Sequence, residues 1–284
     1  MRTRNGFTLI EILVVAPMVI LSIGAFIALI VTLTGNTLAS RAASILQNDT
    51  QIAASQIEDD IRRSVAFLAV NDITLSSGNP QGYLASPDTA SSTGSVVNFT
   101  NVNKTASGGS TAALILKQVA TSKNPLAKDA VIVHQVNSPA SCENNYSQNT
   151  PVYVNVVYFI AGNSLWRRTI SPTDHATPLS LCGASHIYQI PSCSPGTTHS
   201  YCRTKDSKLI EGITTSQFTF NYFTSLGSTT PVAAATNAGA TDAARNSTLT
   251  GTPAVEITLE PSKSASGRDI TAKATTKAVR LNAL

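Results

Sequence analysis

Charge is what this sequence has least of. Charged side chains make up 13% of its 284 residues, against about 25% in ordinary soluble domains, and Ser, Thr, Ala and Asn fill their place. Such a surface suits a secreted, β-rich protein better than a cytosolic enzyme. The formal balance of +4 does not by itself argue for a nucleic-acid partner. No Gly-x-Ser-x-Gly, phosphate loop or dinucleotide fingerprint is present, which removes the common sequence grounds for a hydrolase or nucleotide enzyme. There is no internal repeat. The Cys residues include no C-x-x-C pair, which sets aside the usual redox and zinc-ribbon spacings.

What is present begins at the N-terminus. A basic tip, Met1-Arg2-Thr3-Arg4-Asn5, precedes Gly6-Phe7-Thr8-Leu9-Ile10-Glu11, and Glu11 is the only ionisable side chain from Phe7 to Val31. That run, as a helix rising 1.5 Å per residue, exceeds the ~30 Å hydrocarbon core of a bilayer. Arg2 and Arg4 place the N-terminal end on the cytoplasmic side and the rest outside. A cleavable secretory signal would need a small-x-small site after a shorter core, and Leu21-Ser22-Ile23-Gly24 is a poor one. A plain signal anchor is the simpler alternative. A carboxylate at the depth of Glu11 costs several kcal/mol and is rarely incidental. Pro17 removes a helical hydrogen bond and should kink or locally melt the segment.

From Leu38 to Leu68 apolar residues recur mainly at three, four or seven positions, predicting an amphipathic helix, with Gly35-Asn36 loosening the join to the apolar run. Consecutive Glu58, Asp59 and Asp60 would be spread over different helix faces, as a solvated surface rather than a paired-carboxylate acid/base site. Residues 71–111 are mostly loop, with a strand over 96–102. Strands are expected over 113–119, 130–136, 152–160 and 165–170, the last two joined into a hairpin by Gly162-Asn163, then over 218–223, 254–259 and 270–281. Val255, Ile257 and Leu259 alternate with polar neighbours as in a half-exposed strand. Residues 224–252, rich in Thr, Ala, Gly and Asn, read as a long exposed loop.

The N-terminal stretch resembles the prepilin signal of type IV pilins and type II secretion pseudopilins. Later segments carry the likeness further: Tyr158, then Leu165-Trp166-Arg167-Arg168; Leu209-Ile210-Glu211-Gly212-Ile213 followed by Phe218, Phe220 and Tyr222; Thr252 to Ile257; and Ala278-Val279-Arg280-Leu281. They are most like J-type pseudopilins and W-type minor pilins. The resemblance implies a peptidase cut between Gly6 and Phe7 with N-methylation of Phe7. It implies an assembly role for Glu11, whose carboxylate would pair with the Phe7 α-amine of a neighbouring subunit and set its register. The implied fold is α+β: one long N-terminal helix, membrane-spanning in its first half, packed on an antiparallel β-sheet head. The corresponding parts are a leader at 1–6, a membrane and assembly helix at 7–35, an amphipathic helix at 36–70 and a β-rich head at 71–284. The implied protein is a non-enzymatic minor filament subunit that helps initiate assembly near the tip. Its partners would be the prepilin peptidase, other pilins or pseudopilins, an inner-membrane assembly platform, and lipid around residues 7–31.

Two further sets of residues invite a function. Cys142, Cys182, Cys193 and Cys202 form an even set behind an export segment, so two disulfides are expected. Three pairings exist, and proximity alone favours Cys142–Cys182 with Cys193–Cys202. His175, His186 and His199 interleave with them, but at wide, irregular spacings that an oxidising compartment turns to disulfides rather than zinc; no metal or cofactor is expected. His134 reads as a packed core histidine. Lys263, Arg268, Lys273, Lys277 and Arg280 form a basic C-terminal segment that could touch DNA phosphates or anionic polymers, although lysines also protect edge strands and stacking aromatics are missing there. A filament-tip adhesin or DNA-uptake module, using this segment and the 224–252 loop, is the first alternative function. A signal-anchored surface enzyme is the second.

Overall fold

A computed structural model of the chain describes residues 9–73, 99–102, 112–135, 150–172, 181–182, 186–193, 195 and 203–280. One helix, α1 (Leu9–Arg62), runs for 54 residues, about 80 Å at 1.5 Å per residue. It continues through Pro17, Gly35 and Asn36, so neither the expected melting at Pro17 nor a loosened join appears. The side chains from Leu9 to Thr34 are exposed all round, whereas Leu46, Thr50, Ala53, Ala54, Ile57, Asp60 and Ile61 are buried. Those positions repeat at three and four, the spacing of a single helix face. α1 is therefore a bare apolar stem that becomes the central helix of the head.

The head starts earlier than the sequence suggests. The helix stops at Arg62 and Ser64–Leu68 is a strand, β1, where an amphipathic helix to residue 70 was expected. Phe67 joins the core beneath α1 while Leu68 joins a separate core on the other side of the sheet; only a strand sends successive side chains to opposite faces. Strands β2 (Leu114–Val119), β3 (Tyr153–Ala161), β4 (Ser164–Ile170) and β5 (Ser207–Glu211) follow. They form with β1 a five-stranded antiparallel sheet in simple sequential order. The β3–β4 hairpin turns at Gly162 and Asn163, both with φ near +54°, the two-residue turn whose twist matches its strands.

A second, three-stranded antiparallel sheet is made of β6 (Phe218–Phe223), β7 (Ala254–Leu259) and β10 (Ala274–Val279), with β7 in the middle. Between them β8 (Ser262–Ala265) and β9 (Arg268–Thr271) form a separate hairpin, so the expected strand over 270–281 is split. Both sheets pack on α1: Ile57 and Ile61 share one core with Leu116 and Val156 of the first sheet and Phe220 and Ile257 of the second. Of the strand expected over 130–136, described as far as Gln135, the part His134–Gln135 is a strand; it pairs with Thr150–Pro151 and Leu181–Cys182. Of the strand expected over 96–102, the first three residues lie outside the described ones, and Thr100 makes single bridges to Val70 and Ala112. The short pairing of Ser192–Cys193 with Thr204–Lys205 and the single Thr100–Ala112 bridge are parallel, whereas the other pairings among the described residues are antiparallel.

The expected loop at 224–252 is folded. Ala233–Thr236 is a 3-10 turn and Asp242–Thr250 is a second helix, α2, capped by the Thr241 hydroxyl, which accepts from the Ala244 amide at 3.2 Å. Ala235, Arg245 and Leu249 are fully buried. Arg245 holds the segment in place by donating to the Ala240 carbonyl (2.5 Å) and to Asn101 Oδ1 (3.1 Å), with Asp242 as its ion-pair partner. The Asn246 side chain accepts from the Ala69 amide at 2.7 Å and fastens α2 to the end of β1.

Candidate functional site

Two regions of α1 bear on function: the stem that leaves the head and the joint where the helix enters it. On the stem, Glu11 is exposed in the first turn; Gly6 and Phe7 lie outside the described residues. The hydroxyls of Ser22 and Thr32 donate to the carbonyls four residues back, each at 2.8 Å, which hides these polar groups along an otherwise apolar cylinder. An 18-residue window of α1 reaches a mean hydropathy of 2.8 with none of it buried by the rest of the chain. The helix is thus long and apolar enough to cross a membrane, by length and composition.

At the joint, Asp60 corrects the expectation of a solvated acidic run. Its side chain is 1% exposed. Arg167 Nε meets Asp60 Oδ2 at 2.7 Å, Arg63 Nη2 meets Oδ1 at 2.8 Å, and the Tyr158 hydroxyl donates to Oδ2. The Gln118 amide donates to the Asp60 carbonyl at 3.0 Å and to Oδ1 at 3.3 Å. Burial opposes ionisation of Asp60. Even so, the Arg167 charge and hydrogen bond, the Tyr158 hydroxyl and the Arg63 charge together hold the carboxyl below its ordinary range. Burial, followed by the Asp60 charge, pushes the Tyr158 phenol well up, so it stays a donor at any working pH. Asp59 is exposed, as expected, while Glu58 binds Arg62 at 2.6 Å and accepts from the Thr276 hydroxyl of β10 at 2.8 Å.

The signal for Asp60 was in the sequence: it sits on the same three-four stripe as Ala53, Ala54, Ile57 and Ile61. Arg167 and Arg168 are adjacent on β4 and so point to opposite faces of the first sheet. Arg168 forms the other buried pair. Its Nη2 meets Asp206 Oδ2 at 2.6 Å and its Nε meets Oδ1 at 3.1 Å, with the partners 1% and 0% exposed. The Ser192 hydroxyl donates to Asp206 at 2.9 Å, and the guanidinium stacks 5.1 Å from Phe159 and 5.4 Å from Phe99.

A cavity of about 620 Å³ opens beside the joint, lined by Asp60, Arg63, Gln118 and Arg167 on one side and by the 186–192 segment on the other. His186, exposed near it, is not gathered with other ligands: among the described residues no group of three or more His, Cys, Asp or Glu could hold a metal ion. His134 is half-buried. Cys193 is buried and disulfide-bonded. Cys142, Cys202, His175 and His199 lie outside the described residues, and so does the Cys182 side chain, so the two predicted pairings do too.

The five C-terminal cations are not brought together. Arg280 is 9% exposed and donates to the Val65 carbonyl and, at 2.7 Å, to the Thr250 carbonyl. Lys277 lies 3.5 Å over the Phe223 ring and donates to the Ser228 carbonyl. Lys273 pairs with Glu260 at 2.5 Å and falls just before β10. Lys263 and Arg268 belong to the β8–β9 hairpin. The five cations thus differ in setting: Arg280 and Lys277 bind backbone carbonyls, Lys273 is paired with Glu260, and Lys263 and Arg268 lie on a separate hairpin.

No known protein family, curated protein or solved structure matches the chain. The functional reading rests on geometry and on the residues at the N-terminus.

Proposed function

We propose that this chain is a structural, membrane-anchored subunit of a pilin-like filament, a minor pilin or pseudopilin that performs no chemistry of its own. The observation that carries the reading is α1: one helix, bare and apolar over its first half and the central element of a β-sheet head over its second. A helix exposing apolar residues on every side needs lipid or other helices around it. The same segment can occupy a bilayer before assembly and a bundle of sister helices afterwards. Glu11 then lies near the cytoplasmic edge of the membrane, where the α-amine of Phe7 on a neighbouring subunit would pair with it and set the axial register. The Gly6-Phe7 junction makes the chain a substrate for a prepilin peptidase, and an inner-membrane platform and other pilins would be its assembly partners. The resemblance to J-type and W-type subunits favours a place near the filament tip.

Intact mass and N-terminal sequence of the protein from native membranes test this. A chain starting at N-methylated Phe7 supports it. A chain that keeps Met1–Gly6 in a host with an active prepilin peptidase refutes it.

A further inference from the structure

The β8–β9 hairpin starts at the head, where the Ser262 amide donates to the Gly212 carbonyl at 2.7 Å, and its tip reaches the stem. Its register pairs Lys263 with Ile270 and Ala265 with Arg268, and cross-strand partners share a face. Lys263 and Arg268 therefore lie on one side of the hairpin. That side faces α1: Lys263 lines a cleft with Ala42, Leu46 and Asp49, and Arg268 lines another of about 550 Å³ with Ile30, Val31, Thr34, Asn36 and Leu38. The tip is held in a tight turn by Ser266 (φ 52°) and Gly267 (φ 74°). Lys263 has Asp49 and Glu211 in its cleft, and its charge acts on Glu211. Among the described residues no acidic side chain lines the Arg268 cleft, and Arg268 is exposed.

The depth of this cleft along the helix identifies its ligand. Resting on the membrane-spanning reading of α1 proposed above, the unbroken apolar run ends at Val31 and is followed by Thr32, Thr34 and Asn36, so the outer edge of the hydrocarbon core falls at that point of the helix. The head-group layer adds about 5–7 Å on each side, which corresponds to about four residues of helix, Thr32 to Gly35. Arg268 lines the cleft around these residues. We propose that the β8–β9 hairpin is a lipid clamp: the Arg268 guanidinium binds the phosphate of an anionic phospholipid in the outer leaflet. This would fix the height of the head above the membrane before the subunit is drawn into a filament. A guanidinium suits this role because its planar fork matches phosphate oxygens two at a time.

The test uses the full chain reconstituted in nanodiscs of phosphatidylcholine with or without phosphatidylglycerol. A photoreactive diazirine side chain replaces exposed Ser266, which lines the Arg268 cleft, and in a parallel sample Ile20 on the stem. The clamp predicts lipid adducts at position 266 that increase with phosphatidylglycerol and persist in excess inorganic phosphate. Arg268→Gln should reduce them about fivefold, the factor for one basic residue at an anionic surface, with the Ile20 adducts unchanged. Adducts at Ile20 without adducts at position 266 would overturn the clamp while leaving the membrane span intact. Adducts from position 266 to a second copy of the chain would also overturn it, by assigning the hairpin to a subunit contact. Loss of the phosphatidylglycerol effect in inorganic phosphate would make the site a general anion site and overturn the lipid assignment. Absence of lipid adducts at Ile20 would remove the membrane reading itself, and the clamp with it.

Discussion

Replacing Asp60 by Asn should be among the most damaging conservative changes available in this protein. The substitution keeps the shape of the side chain and removes its charge. It leaves Arg167 and Arg63 without their shared counter-ion. It also turns one acceptor oxygen into an amide donor, and that donor must face either the Arg63 guanidinium or the Arg167 and Tyr158 donors. Removing one partner of a buried ion pair costs about 3–5 kcal/mol. Arg167 and Arg63 keep 24% and 28% of their side-chain surface, and water reaching them from the adjoining cavity places the loss at the lower end, about 3 kcal/mol. For a head of this size that lowers the midpoint by about 6–12 °C, at about 2–4 °C per kcal/mol. Trp166 is the single tryptophan and lies 9% exposed on β4, so its fluorescence can follow thermal or urea unfolding of the full chain in detergent. The acid limb supplies an independent readout. The Asp60 carboxyl is depressed in the folded chain, so its contribution is complete above the unfolded carboxylate value near pH 4 and is lost as pH falls through the lower folded value. Asp60→Asn should remove that contribution. A loss under about 1 kcal/mol, or strict additivity with Arg167→Gln in a double-mutant cycle, would refute the argument that this cluster holds helix to sheet.

Arg168→Met should cost about 3–5 kcal/mol, because Asp206 is left buried without its counter-ion; pairing it with Asp206→Leu should recover most of that loss in urea titrations. Gly212→Ala should destabilise by more than about 2 kcal/mol, since its φ is +75° and an added Cβ would lie 2.1 Å from the Ser262 carbonyl oxygen, and hydrogen exchange should show the β8–β9 hairpin loosened first. Arg245→Met should cost about 3 kcal/mol and expose 224–252 to protease, since its guanidinium closes that segment on itself. Glu11→Ala should leave the melting of the head unchanged while abolishing incorporation into filaments, read by shearing and immunoblot of cells carrying the variant.

The elements legible in the sequence were those whose period is simple. β6 and β7 fall on their expected ranges because Phe218, Phe220 and Tyr222, and Val255, Ile257 and Leu259, alternate with polar residues. The β3–β4 hairpin was readable because Gly162-Asn163 accepts two positive φ angles in succession. The end of α1 was not, because Val65 and Leu68 continue the helical spacing by coincidence while the tertiary environment sends Phe67 and Leu68 to different cores. α2 escaped because it contains one large apolar residue, Leu249, and owes its place to a buried Arg245. Polar segments look like loops whenever the residue that folds them inward is charged. The same blindness applied to Asp60 and Arg280. Both were read as surface charges from residue type, and both are buried because partners distant in sequence compensate them.

Those partners explain why charge is concentrated where the helix meets the head. Apolar contacts along α1 are non-directional: Ala53, Ala54 and Ile57 supply burial without requiring a particular partner atom. A displacement of one turn, about 5.4 Å, is not tolerated by Asp60. It would separate the carboxylate from Arg167 and Tyr158 on two different strands and from Gln118 on a third, and leave a buried charge at each end. Tyr158 and Arg167 are themselves opposite one another in the β3–β4 register, so a single carboxylate fixes helix, hairpin and neighbouring strand at once. Because α1 is one continuous helix, such a lock makes the position of the head a consequence of where the apolar stem sits. On the function proposed above, Glu11 and Asp60 would act in series along one helix. The first would set the stem against its neighbours, and the second sets the head on the stem.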